Sequence, residues 1–266
     1  MDTLKIYAAM ALASLRARLE YKVAFFAFLF AVIFFYLAQL GALLVVMVRF
    51  KEINGWDMGQ MAFLFGLLTF SQGFAALFFN GLANFDRMLI GGEFDRTLVR
   101  PLSPLAQIIV SKFEVSTVAH GIIGSVALYY GAKLSGIHWT FWKAAALPAV
   151  IFGGVLIQGG IRLAVTAVAF WTLKNESLVH TVVFSGKEFV VYPITIYNDG
   201  IRFFLTFIFP LAFVNFYPAQ YFLDKRGETL FHPALQGLTP LVGVIVFSLS
   251  LWAWKAGVDH YQSSGS

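Results

Sequence analysis

Two groups of residues in this chain combine unusual chemistry with unusual positions. The first is the charged island Gly81–Pro104 (GLANFDRMLIGGEFDRTLVRPLSP), which lies between two apolar runs and carries the triplet Phe-Asp-Arg twice. The second group is His120, Gln158 and Arg162, polar residues that fall within long apolar segments. An ionisable residue inside an apolar span is costly and marks a functional position by default. We therefore expect the island to meet a cytoplasmic partner, and we expect the three polar residues to line a path through a membrane.

The intramembrane polar residues could instead have purely structural roles. Arg162 could extend to the inner head groups or pair with a neighbouring helix, and His120 could be a neutral imidazole bonded across a helix interface. If Arg162 lines a cargo path, loss of its charge should impair transport more than folding.

Catalytic motifs are missing from the sequence. The five His lack metal-ligand spacing, and neither an H-E-x-x-H motif nor a G-x-x-x-x-G-K-[ST] phosphate loop occurs. Ser185-Gly186 lacks the surroundings of a nucleophile elbow. We therefore expect no enzymatic activity, metal or cofactor in this chain, and any ATP must be hydrolysed by another chain.

The composition indicates an integral membrane protein. The chain is 59% hydrophobic and 12% charged, with 30 Phe in 266 residues, which is more apolar surface than a soluble core can hide. Most Lys and Arg flank the apolar runs, so the net charge of +5 reports membrane topology rather than nucleic-acid binding.

We predict an all-α, single-domain membrane protein over residues 1–266 with six spans, each near the ~20 residues that cross a bilayer. The predicted spans are Val23–Val48, Met58–Asn80, Phe113–Leu134, Trp142–Trp171, Ile201–Phe222 and Leu235–Trp254.

The stretch Leu178–Gly200 is ambiguous, because Lys187-Glu188 and Pro193 interrupt it. A charged pair at bilayer depth is costly, so we predict that this stretch lies along the inner face. The alternative makes it the fifth span, with Ile201–Phe222 folding back from the outer face as a broken helix.

Residues 1–22 are predicted to form an amphipathic helix, because apolar residues recur there at spacings of three or four: Leu4, Ala8, Leu12, Leu15 and Leu19. Such a helix lies in the head-group plane, although a plain charged flank would also explain it. Basic residues are more numerous in the predicted inner segments than in the outer loops, which favours cytoplasmic termini and a cytoplasmic island.

Within the island, Leu82–Ile90 can form two helical turns. Phe85 and Leu89 would share one face. Gly91-Gly92 supplies a hinge, and a second helical turn starts at Phe94 and ends at Pro101.

Four stretches together resemble the permease subunits of type-2 ABC exporters, in particular small bacterial drug-export-like permeases. They are GEFDRTLVRPLSP (92–104), YPITIY (192–197), FPLAFVNFYPA (209–219) and WKAGVDHYQSSGS (254–266). The resemblance implies an exporter in the bacterial inner membrane, a permease dimer (homodimer or heterodimer) and a pair of ATPase subunits that bind the ATP. It also implies an interfacial N-terminal helix and a coupling helix in the island, but it does not settle the cargo. We expect a hydrophobic or amphipathic cargo, because the abundant Phe can supply a wide aromatic lining.

On this resemblance the expected ATPase-coupling residues are Phe85, Asp86, Arg87, Glu93, Phe94, Asp95 and Arg96. Among them, Phe94 and Asp95 are expected to dock on the ATPase. The competing hypothesis is a secondary transporter or channel that works alone. Such proteins often show internal repeats, and no convincing repeat relates residues 1–133 to residues 134–266.

Overall fold

The computed structural model describes residues 3–111, 117–225 and 231–262, and nearly all of the ordered elements in these ranges are helical. In chain order, the first helices are α1 (Thr3–Glu20), α2 (Lys22–Phe50), α3 (Met58–Phe79), α4 (Phe85–Ile90), α5 (Glu93–Leu98), α6 (Pro104–Ser111), α7 (Val118–Leu134), α8 (Phe141–Ala167) and α9 (Ala169–Thr172). The later helices are α10 (Glu176–Leu178), α11 (Asp199–Phe203), α12 (Phe216–Phe222) and α13 (Thr239–His260). Two-residue strands β1 (Glu52–Ile53) and β2 (Trp56–Asp57) form a hairpin between α2 and α3.

Short 3₁₀ and π segments join these helices. The 3₁₀ segments are Asn80–Asn84, Gly186–Val190, Ile194–Ile196, Leu211–Phe213 and Pro233–Gly237, and the π segments are Val179–Ser185 and Phe204–Ile208.

Four helical stretches are long and apolar enough to cross a membrane: Lys22–Phe50, Met58–Ile90, Phe141–Thr172 and Thr239–His260. They correspond to the first, second, fourth and last predicted spans. The third predicted span coincides with α7 from Val118 onward, and its residues 113–116 lie outside the described residues.

Helix α3 forms the centre of the bundle and is mostly buried. Its first turn is fixed by a reciprocal cap, in which the Asp57 carboxylate accepts from the Gln60 N–H and the Gln60 side chain accepts from the Asp57 N–H. Helix α7 packs closely along it, since a Cβ at Gly66 would lie 2.6 Å from the Leu128 nitrogen.

Helices α8 and α13 form a second close pair. A Cβ at Gly153 would lie 2.7 Å from the Thr239 oxygen, a distance that no side chain tolerates, so glycine is what lets the backbones meet here. Helix α2 differs from both pairs, because most of its apolar surface is exposed, including Phe30, Phe34 and Val45.

The bundle has two distinct ends, defined by what adjoins α3. The β1–β2 hairpin precedes Met58 and marks the hairpin end, while the charged island follows Phe79 and marks the island end. A helix of this length, at ~1.5 Å per residue, separates the two ends by roughly 33 Å.

The stretch Leu178–Gly200 connects these two ends, so its predicted position along the inner face is wrong. Just before it, the Glu176 carboxylate lies 3.3 Å from Arg87 of the island. Near its other end, the Thr195 carbonyl accepts a hydrogen bond of 2.8 Å from Asn54 of the hairpin. Contacts at both ends of α3 show that the stretch runs along the bundle.

The span predicted over Ile201–Phe222 is not one continuous helix. The segments Asp199–Ile208 and Leu211–Phe222 meet at an angle of 77°. The break falls at Phe209-Pro210, where proline supplies no backbone donor to continue the helix.

The bent pair as a whole begins and ends near the hairpin end. Arg202, in the first arm, donates to the Thr195 carbonyl. Lys225, after the second arm, donates to the Gly55 carbonyl at 2.8 Å. The bent pair therefore enters the bundle and returns to the same end, which is the broken-helix arrangement of the alternative prediction.

Helix α1 packs against α6, the helix that follows the island. The Tyr7 hydroxyl accepts a hydrogen bond of 3.0 Å from the Ser103 N–H. Two residues of the predicted apolar face, Leu12 and Leu19, are exposed.

Candidate functional site: the charged island and an intramembrane basic cavity

The charged island folds into two short helices joined by glycines. Helix α4 and helix α5 are separated by Gly91-Gly92, as the sequence predicts. Gly92 has a φ of 65°, a left-handed conformation that glycine adopts without steric cost. The turn allows the two copies of Phe-Asp-Arg to present the same side to the bundle.

The two phenylalanines of the repeat point into the protein. Phe85 and Phe94 are fully buried and their rings meet edge to face at 5.3 Å. Together with Phe170, Trp254 and Tyr261 they form a five-ring aromatic cluster. Within it, Phe85 lies 5.0 Å from Phe170 and 4.9 Å from Trp254, and Phe94 lies 5.1 Å from Tyr261.

This cluster ties the island to two other helices. Phe170 belongs to α9, at the island end of the fourth predicted span, and Trp254 belongs to α13. The predicted docking role of Phe94 is therefore wrong, because its buried ring anchors the island to the bundle. Asp86 is buried as well, and its carboxylate accepts from the Arg87 N–H at 2.8 Å.

The opposite face of the island is exposed and charged. Arg87, Glu93 and Arg96 project outward, beside the apolar side chains of Ile90 (54% exposed) and Val99 (83% exposed). An exposed mixture of charges and apolar groups on a short rigid segment has the chemistry of a protein contact surface. We call these five residues the outer face of the island.

Asp95 lies between the two faces. Its carboxylate is close to the Tyr261 hydroxyl, and burial together with this neighbouring negative charge raises the pKa of Tyr261. Asp95 therefore lies next to the aromatic cluster, and its docking on an ATPase stays a prediction.

Sequence reasoning missed Phe170, Trp254 and Tyr261 as partners of the island. One signal was available, because Trp254 and Tyr261 are seven residues apart at the end of the last apolar run and so share one helical face. Nothing in the sequence paired that face with Phe85 and Phe94.

The second predicted group forms part of a cavity between α2, α3, α7, α8 and the segment around Lys187. The cavity has a volume of about 300 Å³. We call it the basic cavity; its described lining is Phe28, Ala31, Val32, Phe35, Tyr36, Gln72, Ala76, Asn80, Thr117, His120, Arg162, Phe184 and Lys187.

Arg162 is the most buried charge in this cavity, with 7% of its surface exposed. Its Nη1 donates to the Gln158 carbonyl of the same helix at 3.3 Å. Within the parts of the chain that the structure describes, no carboxylate lies within salt-bridge distance of its guanidinium. If Arg162 pairs with a neighbouring helix, as one alternative predicts, its partner among the described residues is therefore not a carboxylate.

His120 and Arg162 were predicted to belong to one site, and both line this cavity. Gln158, the third predicted residue, is absent from the described lining. The His120 ring stands edge-on to Tyr36 at 4.9 Å. Its Nδ1 is buried without a hydrogen-bond partner among the described residues.

Lys187 also lines this cavity, a position that was not predicted from the sequence. Its ammonium lies 5.7 Å from the Phe35 ring and 5.6 Å from the Tyr36 ring, within the range of cation–π attraction. The Glu188 carboxylate is 3.9 Å away and also accepts from Gln39 at 2.9 Å.

Comparison with known protein families decides the class of this chain. Residues 25–265 match the family described as ABC-2 family transporter protein. The chain belongs to the ABC-2 transporter family. The match covers most of the chain, from α2 through the island and the basic cavity to the residues beyond α13.

Membership of the ABC-2 family makes this chain a multi-pass membrane protein of the permease type, and it implies association with ABC ATPase partners. The resemblance to type-2 ABC permeases is thereby confirmed at the level of the family. The drug-export-like branch stays a prediction. Comparisons with curated proteins and with solved structures gave no match.

Proposed function

We propose that this chain is the membrane subunit of an ATP-driven exporter, and that the charged island is its coupling element. The observation that carries the proposal is the two-sided island. Its buried face is anchored in the five-ring aromatic cluster, while Arg87, Glu93 and Arg96 remain exposed on the outer face. A segment that passes on the movement of a soluble subunit needs both an anchor and a docking face.

In this proposal the ATPase docks on the outer face of the island. The chain itself binds no ATP and performs no catalysis. Closure of the ATPases moves the island, and the aromatic cluster carries this movement to the ends of α9 and α13. Packed rings resist relative displacement because cores have crystal-like density.

A second contact connects the island to the basic cavity. The Thr166 hydroxyl of α8 bonds to the Leu82 carbonyl of the island at 3.4 Å. Arg162 lies one turn before Thr166 on the same helix, so a shift of the island displaces the wall of the cavity. We propose that His120 and Arg162 border the path of the cargo, while Gln158 supports Arg162 through its main-chain oxygen.

We propose six membrane crossings with a revised assignment of the fifth. The segment from Glu176 to Thr195 is the fifth crossing, and the bent pair Asp199–Ile208 and Leu211–Phe222 dips into the bilayer from the hairpin end. Its non-helical backbone is tolerated because protein surrounds it.

With the island in the cytoplasm, both termini are cytoplasmic and the β1–β2 hairpin is outside. This orientation rests on the distribution of basic residues. Helix α1 then lies in the inner head-group plane beside α6.

The complete transporter contains two such permeases, identical or unlike, and two ATPase subunits in a bacterial inner membrane. The exposed apolar surface of α2 suits contact with lipid or with the second permease. The cargo is a hydrophobic or amphipathic molecule that leaves the cytoplasm.

Purification of the tagged chain from its native membrane tests this proposal. We expect an ABC ATPase to co-elute, and we expect its ATP hydrolysis to depend on the permease. Arg96→Glu should reduce co-elution because it reverses a charge on the outer face, whereas Lys133→Glu, an exposed residue at the hairpin end, should not. Transport by the chain alone, in the absence of ATP, would instead support a secondary transporter or channel.

A further inference from the structure

We infer that the basic cavity binds the anionic head group of an amphiphilic molecule. This inference rests on the proposed transport function and names the class of its cargo. The cavity is assembled from five parts of the chain, and its two cations come from α8 and from the segment after α10.

The excess positive charge of the cavity favours binding of an anion. Arg162 and Lys187 both line it, and its described lining contains no Asp or Glu. Glu188 partly offsets Lys187 from 3.9 Å, and among the described residues no carboxylate lies within salt-bridge distance of the Arg162 guanidinium. A buried charge without a counter-charge is costly, and a bound anion would supply that counter-charge.

The donor groups suit a phosphate or a carboxylate. The planar guanidinium of Arg162 has one hydrogen bond to a main-chain oxygen, so further N–H groups remain for a two-point contact with an oxyanion. The ammonium of Lys187 adds a second charged donor. Tyr36 and His120 contribute polar groups at the same wall, and the buried His120 Nδ1 has no hydrogen-bond partner among the described residues.

The shape of the cavity indicates an amphiphile rather than a free anion. One side is lined by Phe28, Ala31, Val32 and Phe35 of α2, together with Phe184. Phe28, Phe35 and Phe184 are also partly exposed on the surface of the bundle. A volume of about 300 Å³ holds a head group, while an apolar tail can lie along the exposed side of α2.

Cationic amphiphiles should be excluded, since they would add a third positive charge. Zwitterionic head groups should bind more weakly than anionic ones, because their own cation is repelled by Arg162 and Lys187.

Binding measurements on the purified full-length chain test the inference. The probe is dodecyl phosphate, compared with dodecylphosphocholine, dodecyltrimethylammonium and inorganic phosphate, in a neutral maltoside detergent. The dissociation constants are measured by isothermal titration and checked by native mass spectrometry. We expect dodecyl phosphate to bind most tightly, and inorganic phosphate about a hundredfold or more weakly because it lacks the apolar tail.

Two variants locate the binding site. Arg162→Gln and Lys187→Gln should each weaken dodecyl phosphate binding by about tenfold or more, since each removes a charge-assisted contact. Lys255→Gln removes an exposed lysine elsewhere and should leave binding unchanged. If Arg162→Gln does not fold, the more accessible Lys187→Gln carries the same test.

Equal affinities for dodecyl phosphate and dodecylphosphocholine would overturn the inference, as would an equal loss in Lys255→Gln. Equal competition by inorganic phosphate would overturn the assignment to an amphiphile. The assay needs no ATPase, so its failure is distinguishable from failure of the proposed exporter function, which is tested by co-elution.

Discussion

Replacement of Phe94 by alanine tests how the charged island is held. Phe94 is fully buried, with ring centroids 5.3 Å from Phe85, 5.5 Å from Phe170, 6.4 Å from Trp254 and 5.1 Å from Tyr261. Truncating a buried Phe to Ala costs roughly 3–5 kcal/mol, because apolar contacts are lost and a cavity remains. Since ~1.4 kcal/mol is a factor of ten, the population of detached island should rise by roughly a hundredfold to several thousandfold.

Limited trypsin digestion reports this detachment. Arg87 and Arg96 are exposed, but they lie in the short helices α4 and α5, so cleavage after them requires local opening. When opening and closing are fast, the cleavage rate follows the population of the open form. Phe94→Ala should therefore be cut in the island far faster than the parent, while the rest of the bundle stays intact.

Ile90→Ala is the matched control, because Ile90 lies in the same island but on its outer face. It should leave the rate of island cleavage nearly unchanged and should weaken ATPase association instead. Equal cleavage rates for Phe94→Ala and Ile90→Ala would refute the anchoring role of the aromatic cluster.

Three further predictions concern topology, stability and pH. Cysteine labelling is clean in a chain with no native cysteine: an impermeant reagent applied to intact cells should label Asp199→Cys and not Glu93→Cys, and the reverse pattern would contradict the orientation. Lys143→Met should lower the free energy of unfolding by about 1.5–3 kcal/mol, because the buried Lys143 ammonium donates to the Phe222 carbonyl at 2.8 Å and to the Asp224 carboxylate at 2.7 Å. Thermal unfolding measures this loss, with Lys133→Met at an exposed site as the control that should change little. The pKa of Tyr261 is raised above its ordinary value of 10.0, so its neutral phenol stabilises the folded island, and this contribution is lost as the pH rises past about 10. Trypsin cleavage of the island should therefore accelerate above about pH 10, and it should accelerate less in Tyr261→Phe.

The sequence predicted the helical class, four of the spans and the two turns of the island, because these features depend on local patterns. Long apolar runs give α2, α3, α8 and α13, and the glycine pair gives the break between α4 and α5. The same patterns fail at Leu178–Gly200, where Lys187 and Glu188 suggested an interfacial position. Contacts distant in sequence lower the cost of those charges: Glu188 accepts from Gln39, and Lys187 lies near two aromatic rings of α2.

Part of the candidate site was also predicted, because local sequence features mark some of its residues. Burial cost alone singled out Arg162 and His120, and the repeat singled out Phe85 and Phe94. Whether a Phe faces a partner or the bundle depends on what packs against it. Trp254 follows Phe94 by more than a hundred residues, and no local pattern encodes that contact.

The central claim is that the outer face of the island docks a separate ATP-hydrolysing subunit. The most direct measurement places a photo-crosslinking amino acid at Ile90 in the native membrane, with Phe141, exposed near the hairpin end, as the control position. We expect a crosslink from position 90 to a protein that also takes up a photoreactive ATP analogue, and no such product from position 141. An island that crosslinks to no ATP-binding protein, or no better than position 141 does, would contradict the account.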